Sequence, residues 1–387
     1  MSAFELIQKM PEQLSAYLSE FRAELRPTRF ENLYMIKFDP TTDADHPSVN
    51  RLRGMIFNMT TGQIYSMGYP VPLEFKTLSS DEKEDIVSQI GQRKYKVHEA
   101  VDGTLIRLWY HTENQRWIIS TNGVDDAHYA FWMNNVSFGE IFESTLFGQD
   151  GPVKNERMEN LNPNLVHLFQ VCHPLNVIVV NHKDARVYHV ASYDRTTLQE
   201  VECDLGIERI PELELTIEQI REKTTQCSGD PILSAGYMVV QPSEDGTIMH
   251  RYRFENANYT RARQLRGDSN DIDFTLLTHW TKHPDQLVEF LRYYPIYQPN
   301  MVALMQNIEV LATYLFSAYG YRYKLRRDIY IPPCLHKFLC ELHTQVYLFH
   351  LKKMGKTIQR IDVANFLRQQ SPARIIGMIR QREQSSL

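Results

Sequence analysis

The hydrophobic positions of this chain change their spacing twice. Residues 4–24 repeat apolar side chains every three or four positions, which predicts an N-terminal helix that stops before Arg26-Pro27. From Tyr34 to Tyr259 the pattern becomes short β-rich runs separated by turn signals, with helical spacing near 126–147 and 216–226. These connections are too short for repeated βαβ crossovers, so an α+β core with mostly antiparallel strands is expected. The runs predicted as strands are LYMIKF, RGMIFNMTTGQIYSMGY, TLIRLWYH, RWIISTNG, LVHLFQVC, NVIVVNH, ARVYHVASY, GYMVVQP and IMHRYRF.

The last third of the chain has helical periodicity throughout. GDSNDID, residues 267–273, is a plausible boundary loop between the two patterns. We therefore expect an antiparallel-sheet domain over 1–270 and an all-helical C-terminal domain over 271–387, both within the usual domain size. The helices predicted there are 284–294, 299–319, 334–353 and 360–381.

Composition describes an ordinary globular protein, with 43% hydrophobic and 23% charged residues. No uninterrupted apolar run approaches the roughly 18 residues that cross a bilayer, and no signal-peptide pattern opens the chain, so a cytoplasmic protein without membrane contact is expected. Five dispersed cysteines do not form a disulfide pattern, in keeping with a reducing compartment. They are Cys172, Cys203, Cys227, Cys334 and Cys340.

The net charge of −5 hides an asymmetry. From Trp280 onward there are 15 Lys and Arg against 7 Asp and Glu, a net charge of +8 for the C-terminal part. Such a part could contact phosphates. A solvated helical surface explains the same charges equally well.

Residues 99–109, EAVDGTLIRLW, carry the most specific chemical signal. They match the nucleotidyltransferase signature KxDGT except at the lysine, where this chain has Ala100. In that superfamily the lysine amine attacks the α-phosphate of ATP or GTP and holds the nucleotide as a phosphoramidate. A methyl group cannot do so, and no catalytic nucleophile is therefore intact at this position.

Four further segments extend the likeness, in order and spacing, over residues 50–260. Together with AVDGT they resemble the RNA ligase 1 family, the phage and large-virus branch of the covalent nucleotidyltransferases. The segments are RLRGMIFNMTTGQIYSMGYPVPLEFKTL at 51–78, ISTNG at 119–123, LVHLFQVCHPLNVIVV at 165–180 and SAGYMVVQPSEDGTIMHRYRF at 234–254.

The resemblance implies a degenerate site. Gln170 stands where the family has a ribose-contacting glutamate, Ala235 where it has a metal-holding glutamate, and Asn122 where it has a lysine. Arg251 and Arg253, or His250 if the register slips by one, replace lysines on the α-phosphate; guanidinium groups still grip phosphate.

The resemblance also implies which residues remain to bind a nucleotide. No metal ligands are assigned, because Mg²⁺ is usually held by carboxylates that are missing here. ATP and Mg²⁺ would be cofactors only of an active enzyme. The expected nucleotide-binding residues are Arg53, Gly54, Asp102, Gly103, Gln170, Arg251 and Arg253.

Two explanations of Ala100 remain open, natural decay of the site or an engineered knock-out; the accompanying changes at Asn122, Gln170 and Ala235 favour decay. Lys96 and His98 lie on the same strand face as Ala100, about 7 to 14 Å along the strand, and are distant substitutes for the nucleophile.

Two clusters in the C-terminal part were weighed against simpler interpretations. Cys334, His336, Cys340 and His343 suggest zinc, but on a helix they point around more than one face, so core cysteines and surface histidines fit better. YGYRYKLRRDIY, 319–330, mixes aromatic and basic residues as single-strand grooves do, or ends a helix with extended arginines. Its candidate RNA contacts are Arg322, Lys324, Arg326 and Arg327.

Three functional hypotheses follow. The first is an RNA ligase-like pseudoenzyme that binds RNA ends, nucleotide (ATP or AMP) or protein partners. The second is an active ATP-dependent RNA ligase that joins 3′-hydroxyl and 5′-phosphate ends. The third is a virion or assembly protein that keeps only the fold, located in the host cytoplasm or the virion.

Overall fold

The structure is a computed structural model and describes residues 3–44, 46, 48–91, 94–131, 136–148, 160–225, 232–243, 249–267, 269 and 271–384. Cys227 and residues 244–247 of the SEDGT turn lie outside the described residues. The chain splits into two units, Met1–Arg263 and Gln264–Leu387. The expected α+β fold, a mostly antiparallel core followed by a helical C-terminal region, is confirmed.

The strands of the first unit form three sheets, with the orders β1-β2-β3-β4, β11-β10-β9-β7-β8 and β5-β13-β12-β6. Every described strand pair is antiparallel except β5 with β13. The strands are β1 Glu24–Pro27, β2 Leu33–Lys37, β3 Ile56–Asn58, β4 Ile64–Ser66, β5 Leu73–Glu74, β6 Lys96–Glu99, β7 Thr104–His111, β8 Arg116–Thr121, β9 Leu165–Cys172, β10 Arg186–Asp194, β11 Glu200–Val201, β12 Gly236–Pro242 and β13 Met249–Glu255.

The predicted N-terminal helix is wrong in its length, because it is interrupted at Pro11. In place of one helix over 4–24, the chain forms two short helices around the 3₁₀ turn Pro11–Gln13, since proline has no N–H to donate. The patch predicted at 126–147 is α-helical only from Phe138, whereas the patch at 216–226 is confirmed over its described part. The helices of this unit are Ala3–Lys9, Leu14–Glu20, Ser80–Gly91, Phe138–Phe147, Ile217–Thr225 and Ala257–Arg266, which reaches the second unit.

Apolar faces of the sheets bury three hydrophobic clusters. The first sheet and the N-terminal helices pack on one face of the second sheet, around Phe57, Trp109 and Leu168. The opposite face of the second sheet packs on helix Phe138–Phe147. The third sheet packs on helices Ser80–Gly91 and Ile217–Thr225. The second and third sheets thus each pack on helices of their own through apolar side chains.

The second unit is helical in all its described regular elements. The helix predicted over 360–381 is wrong in one respect: Gln369–Ser371 interrupt it, because the residue before Pro372 disfavours α-helical geometry. The helix at Gln298 continues as a π-helix over Gly320–Lys324, and the helix at Pro333 as another over Leu342–Leu351. The α-helices are Ile272–Lys282, Pro284–Tyr293, Gln298–Tyr319, Pro333–Glu341, Arg360–Arg368 and Pro372–Gln384.

The longest helical stretch, Pro295–Lys324, is long and apolar enough to cross a membrane by length and composition. Its most apolar window is 33% buried. Its buried positions, among them Leu304, Ile308, Leu311 and Leu315, recur every three or four residues, as in a helix that packs one face in a helical core.

Candidate functional site

A cavity of about 560 Å³ opens beside Ala100, between residues of the second and third sheets. Leu105 and Gln170 line it from the second sheet, and Met238 and Arg251 line it from the third. Its walls carry six Arg or Lys residues and four Asp or Glu residues, so the cavity is moderately basic. A volume of this size accommodates a nucleotide-sized ligand.

Ala100 itself is fixed by the backbone. Its N–H donates a hydrogen bond of 2.9 Å to the carbonyl oxygen of Gly236, and the residue is 5% exposed. Gly236 has φ +128°, and a Cβ there would lie 2.1 Å from the carbonyl oxygen of Phe254. Only glycine permits this close approach, so the start of β12 holds position 100 at the cavity wall.

The carboxylate of Asp102 is fully used within the protein. One oxygen accepts hydrogen bonds from the N–H groups of Val179 (2.9 Å) and Val180 (2.8 Å), and the other accepts one from the Tyr259 hydroxyl (2.7 Å). Burial, and then the charge of Asp102, raise the pKa of Tyr259. The predicted strand NVIVVNH is therefore wrong: its backbone donors bind a side chain instead of a neighbouring strand. Asp102 lines the cavity, but these three hydrogen bonds hold its carboxylate, which therefore stabilises the cavity wall.

The neighbours of Asp102 are equally constrained. A Cβ on Gly103 would lie 2.3 Å from the carbonyl oxygen of Val171, which explains glycine there. Gln170 lines the cavity and donates to the carbonyl oxygen of Val101 at 3.3 Å. Asn122 also lines it, and its buried Oδ1 has no hydrogen-bond partner among the described residues. The Asn122 Oδ1 is thus an unsatisfied acceptor that is shielded from solvent.

The described residues offer little support for a metal ion held by protein ligands at the cavity. In the described parts of the chain, no three His, Cys, Asp or Glu side chains form a group that could hold a metal ion. Ala235 is fully buried, is absent from the cavity wall, and contributes only its carbonyl oxygen, which accepts from the Asn256 N–H at 2.9 Å. Position 235 therefore supplies no carboxylate to a Mg²⁺ ion at the cavity.

The two arginines of β13 both reach the cavity, whereas His250 is exposed and is not part of its wall. The Arg251 side chain is 4% exposed, forms an ion pair with Glu200, and lies 4.4 Å from the Tyr69 ring centre. Glu200 gives no periodic signal because it lies in the two-residue strand β11, and Tyr69 lies inside the segment 51–78 without a motif position of its own.

Arg253 is held by carboxylates as well. It lies 3.7 Å from Glu74 and 3.4 Å from Glu255, and Glu255 also accepts from Lys76 and Thr260. Burial first, and then repulsion from Glu255, raise the pKa of Glu74, although the charge of Arg253 opposes this. Arg253 therefore belongs to an internal ionic network at the edge of the cavity.

Two further arginines on the cavity wall are free of such pairing. Arg53 and Arg263 have no ion-pair or side-chain hydrogen-bond partner among the described residues. Desolvation, and then the positive charge of Arg263, lower the pKa of Arg53. The adjacent Gly54 has φ +75°, which glycine adopts readily. Two guanidinium groups that repel each other and have no ion-pair partner among the described residues are a typical receptor for an anion.

Lys96 and His98 line the same cavity as Ala100, as expected from the period of two. The Lys96 side chain is 67% exposed and lies 3.6 Å from Glu212. His98 Nδ1 lies 3.1 Å from the carbonyl oxygen of Ile210. Among the described residues of the cavity wall, the only primary amine is therefore that of Lys96, four positions before Ala100.

The basic segment, residues 319–330, lies in the second unit. Arg322 is half-buried, and Lys324, Arg326 and Arg327 are exposed. Tyr319 cannot stack on a base as its spacing suggests, because it is 3% exposed and its hydroxyl bonds His343 Nδ1 at 2.8 Å. Its neighbour Tyr321 is 42% exposed and remains accessible.

The zinc interpretation of the Cys and His residues has no geometric support in the described part of the chain. Cys340 Sγ lies 3.8 Å from His336 Nδ1, but among the described residues no third His, Cys, Asp or Glu side chain joins them in a group that could hold zinc. His343 instead stacks on Tyr323, with ring centroids 4.0 Å apart.

No protein-family model matches the chain. It is 24% identical over 359 residues to an immediate-early protein ICP-46 homolog of Invertebrate iridescent virus 3, covering 89% of this chain and 76% of that protein. It is 23% identical over 185 residues to a putative bifunctional polynucleotide kinase/RNA ligase of Autographa californica nuclear polyhedrosis virus. That match covers 46% of this chain and only 26% of the relative.

Ligases are among the solved structures to which the chain is similar. An archaeal ATP-dependent RNA ligase gives a TM-score of 0.45 at 11% identity, covering 79% of this chain and 81% of that one. A putative ATP-dependent DNA ligase of Aquifex aeolicus gives 0.40 at 15% identity, with 87% and 88% covered. A Naegleria gruberi RNA ligase gives 0.34 at 13% identity; the match covers 50% of this chain and 57% of that ligase.

Proposed function

We propose that this chain is an RNA ligase-like protein that binds a nucleotide, or the 5′-phosphate end of an RNA, without forming a covalent adduct. The observation that carries the proposal is the cavity of about 560 Å³ beside Ala100, with the unpaired Arg53 and Arg263 on its wall. Cationic groups without a counter-ion favour a phosphate ligand.

The same cavity argues against covalent chemistry. Formation of a phosphoramidate needs an unprotonated amine next to the α-phosphate. Ala100 provides none, Gln170 provides no carboxylate for the ribose, and Ala235 provides none for a metal. ATP or AMP would therefore be ligands, and Mg²⁺ would enter only with the nucleotide. We infer a pseudoenzyme that has kept nucleotide binding but has lost catalysis.

An RNA partner has separate support. The baculovirus relative is named a putative polynucleotide kinase/RNA ligase, and the +8 C-terminal part of this chain adds positive charge. Since the chain spans only 26% of that relative, kinase activity is not carried over. Both viral relatives are consistent with a viral protein that acts in the host cytoplasm or the virion.

The experiment is a labelling assay paired with a binding assay. The purified chain is incubated with ATP labelled at the α-phosphate and Mg²⁺, then run on a denaturing gel, and AMP affinity is measured by calorimetry. We expect binding without a labelled band. A labelled protein band excludes the pseudoenzyme, and absence of both signals favours the purely structural protein.

An active RNA ligase is the second candidate, and Lys96 is the observation that favours it. Its amine lies on the wall of the same cavity and is well exposed. If the labelled band forms and disappears in Lys96→Ala, a shifted nucleophile has replaced position 100. A band that survives in Lys96→Ala would require yet another nucleophile.

A further inference from the structure

Arg107 is a fully buried arginine in the centre of β7. It is 0% exposed and lies between Leu105 and Trp109 on one face of the second sheet. Its two terminal nitrogens donate to the carbonyl oxygens of Gly54 and Thr121. No carboxylate pairs with it among the described residues, and its Nε has no hydrogen-bond partner there.

An unpaired buried charge is costly, so such a group is rarely kept only for packing. Burial, and then the charge of Arg53, lower the pKa of Arg107 to about 9. The guanidinium therefore keeps its charge at neutral pH, although nothing acidic on the described chain compensates it. Carbonyl dipoles supply only part of the lost hydration.

The two hydrogen bonds of Arg107 end on backbone carbonyl groups next to two residues of the cavity wall. Gly54 directly follows Arg53, and Thr121 directly precedes Asn122; both Arg53 and Asn122 line the cavity. A Cβ on Gly54 would lie 3.0 Å from the Arg107 guanidinium, so the backbone and the charge are in direct contact. One side chain thus connects the backbone next to Arg53 with the backbone next to Asn122, a residue of the cavity wall that lies 69 positions later in the sequence.

We propose that Arg107 is a positioning residue that fixes Arg53 and Asn122 and adds a buried positive charge behind them, so that the cavity selects phosphate-bearing ligands over uncharged ones. The inference rests on the proposed nucleotide binding. A buried charge acts through a medium of low dielectric constant and is weakly screened by salt. Its influence on an anion therefore extends beyond direct contact.

The test measures the affinities of full-length protein for AMP and for adenosine, which share the base and sugar and differ by the phosphate. Arg107→Met removes the charge and both hydrogen bonds, whereas Arg107→Lys keeps the charge. Trp109→Phe is the matched control, because it is equally buried on the same strand face but is neutral. Thermal unfolding of each variant shows how much folded protein is present.

We expect Arg107→Met to weaken AMP binding at least about tenfold while adenosine binding changes much less. Arg107→Lys should recover most of the AMP preference, and Trp109→Phe should keep the ratio of wild type. Equal losses for AMP and adenosine in Arg107→Met, or failure of Arg107→Lys to recover the ratio in folded protein, would overturn the inference alone. A wild-type protein that binds neither ligand would overturn the proposed function with it.

Discussion

The Tyr259 hydroxyl donates a 2.7 Å hydrogen bond to the Asp102 carboxylate across 157 residues of sequence. The same carboxylate accepts from the Val179 and Val180 N–H groups. One buried anion thus joins the loop after β6, the loop after β9 and the helix after β13. The edge of the cavity depends on this three-way contact.

The first prediction is that Asp102→Ala lowers the free energy of unfolding by about 3 kcal/mol, because it leaves two N–H groups and one hydroxyl without an acceptor. Tyr259→Phe, which removes one hydrogen bond, should cost about 1 kcal/mol. Urea denaturation measures both. Unchanged stability with lost AMP binding would instead identify Asp102 as a direct ligand contact.

Asp102 also shows where sequence reasoning reaches its limit. Alternation correctly predicts β7, β8, β9 and β12, whose register follows from one buried face. NVIVVNH has the same apolar composition but forms a loop, because a distant carboxylate satisfies its backbone. Such a long-range partner leaves no periodic signal in the sequence.

Some elements that hydrophobic periodicity does not predict carry another recognisable signal in the sequence. Helix Ser80–Gly91 is preceded by Ser79, whose N–H and hydroxyl exchange hydrogen bonds with Glu82, the Ser-x-x-Glu capping pattern. In the candidate site the motif led to Arg53, Asp102 and Gln170, which line the cavity. Arg263 lies outside every quoted segment, and Arg107 lies within residues 99–109 but after the KxDGT positions. Only the tertiary structure brings Arg263 to the cavity wall and Arg107 behind it.

The second prediction concerns restoration of the nucleophile. Ala100→Lys alone should not restore RNA sealing, because Gln170 and Ala235 still leave the sugar and metal positions without carboxylates. The measurement is sealing of nicked and single-stranded RNA with ATP and Mg²⁺. The triple variant with Gln170→Glu and Ala235→Glu is the matched comparison. Efficient sealing by the single variant would mean that Ala100 was an isolated, recent change.

The third prediction concerns the unpaired arginines. Arg53→Ala and Arg263→Ala should each weaken AMP binding about tenfold, the effect of losing one charge-assisted hydrogen bond. Arg26→Ala, which removes an exposed arginine paired with Glu24, is the control and should change little. Calorimetry at two salt concentrations measures the effect. If all three variants bind AMP alike, then the anion lies elsewhere in the cavity.

The fourth prediction is a pH dependence of stability at His128. Hydrogen bonds to Asp126 and Glu143 raise the pKa of His128 to about 9, above its usual value of 6.5. The protonated ring therefore stabilises the fold fully below about pH 6.5, and this contribution is lost as the pH rises toward 9. Histidines whose pKa burial lowers, such as His167 and His189, titrate below that window. Denaturation midpoints between pH 6 and 9.5, for wild type and His128→Gln, should converge at high pH; parallel profiles would contradict the assignment.

The last prediction is that the basic segment of the second unit carries most of any RNA affinity. Lys324, Arg326 and Arg327 are exposed next to the accessible ring of Tyr321, an arrangement that suits backbone phosphate and a stacked base. Each phosphate contact contributes about 0.7 to the slope of log affinity against log salt for a single strand, so Arg326→Ala/Arg327→Ala should reduce that slope by about 1.4.

Lys352→Ala/Lys353→Ala removes the same charge from another exposed site of this unit and is the control for net charge alone. Gel shifts of a single-stranded RNA at several salt concentrations measure both variants. If the two double variants lose affinity equally, the +8 charge acts without a defined site, and if neither loses any, RNA contact belongs to the first unit.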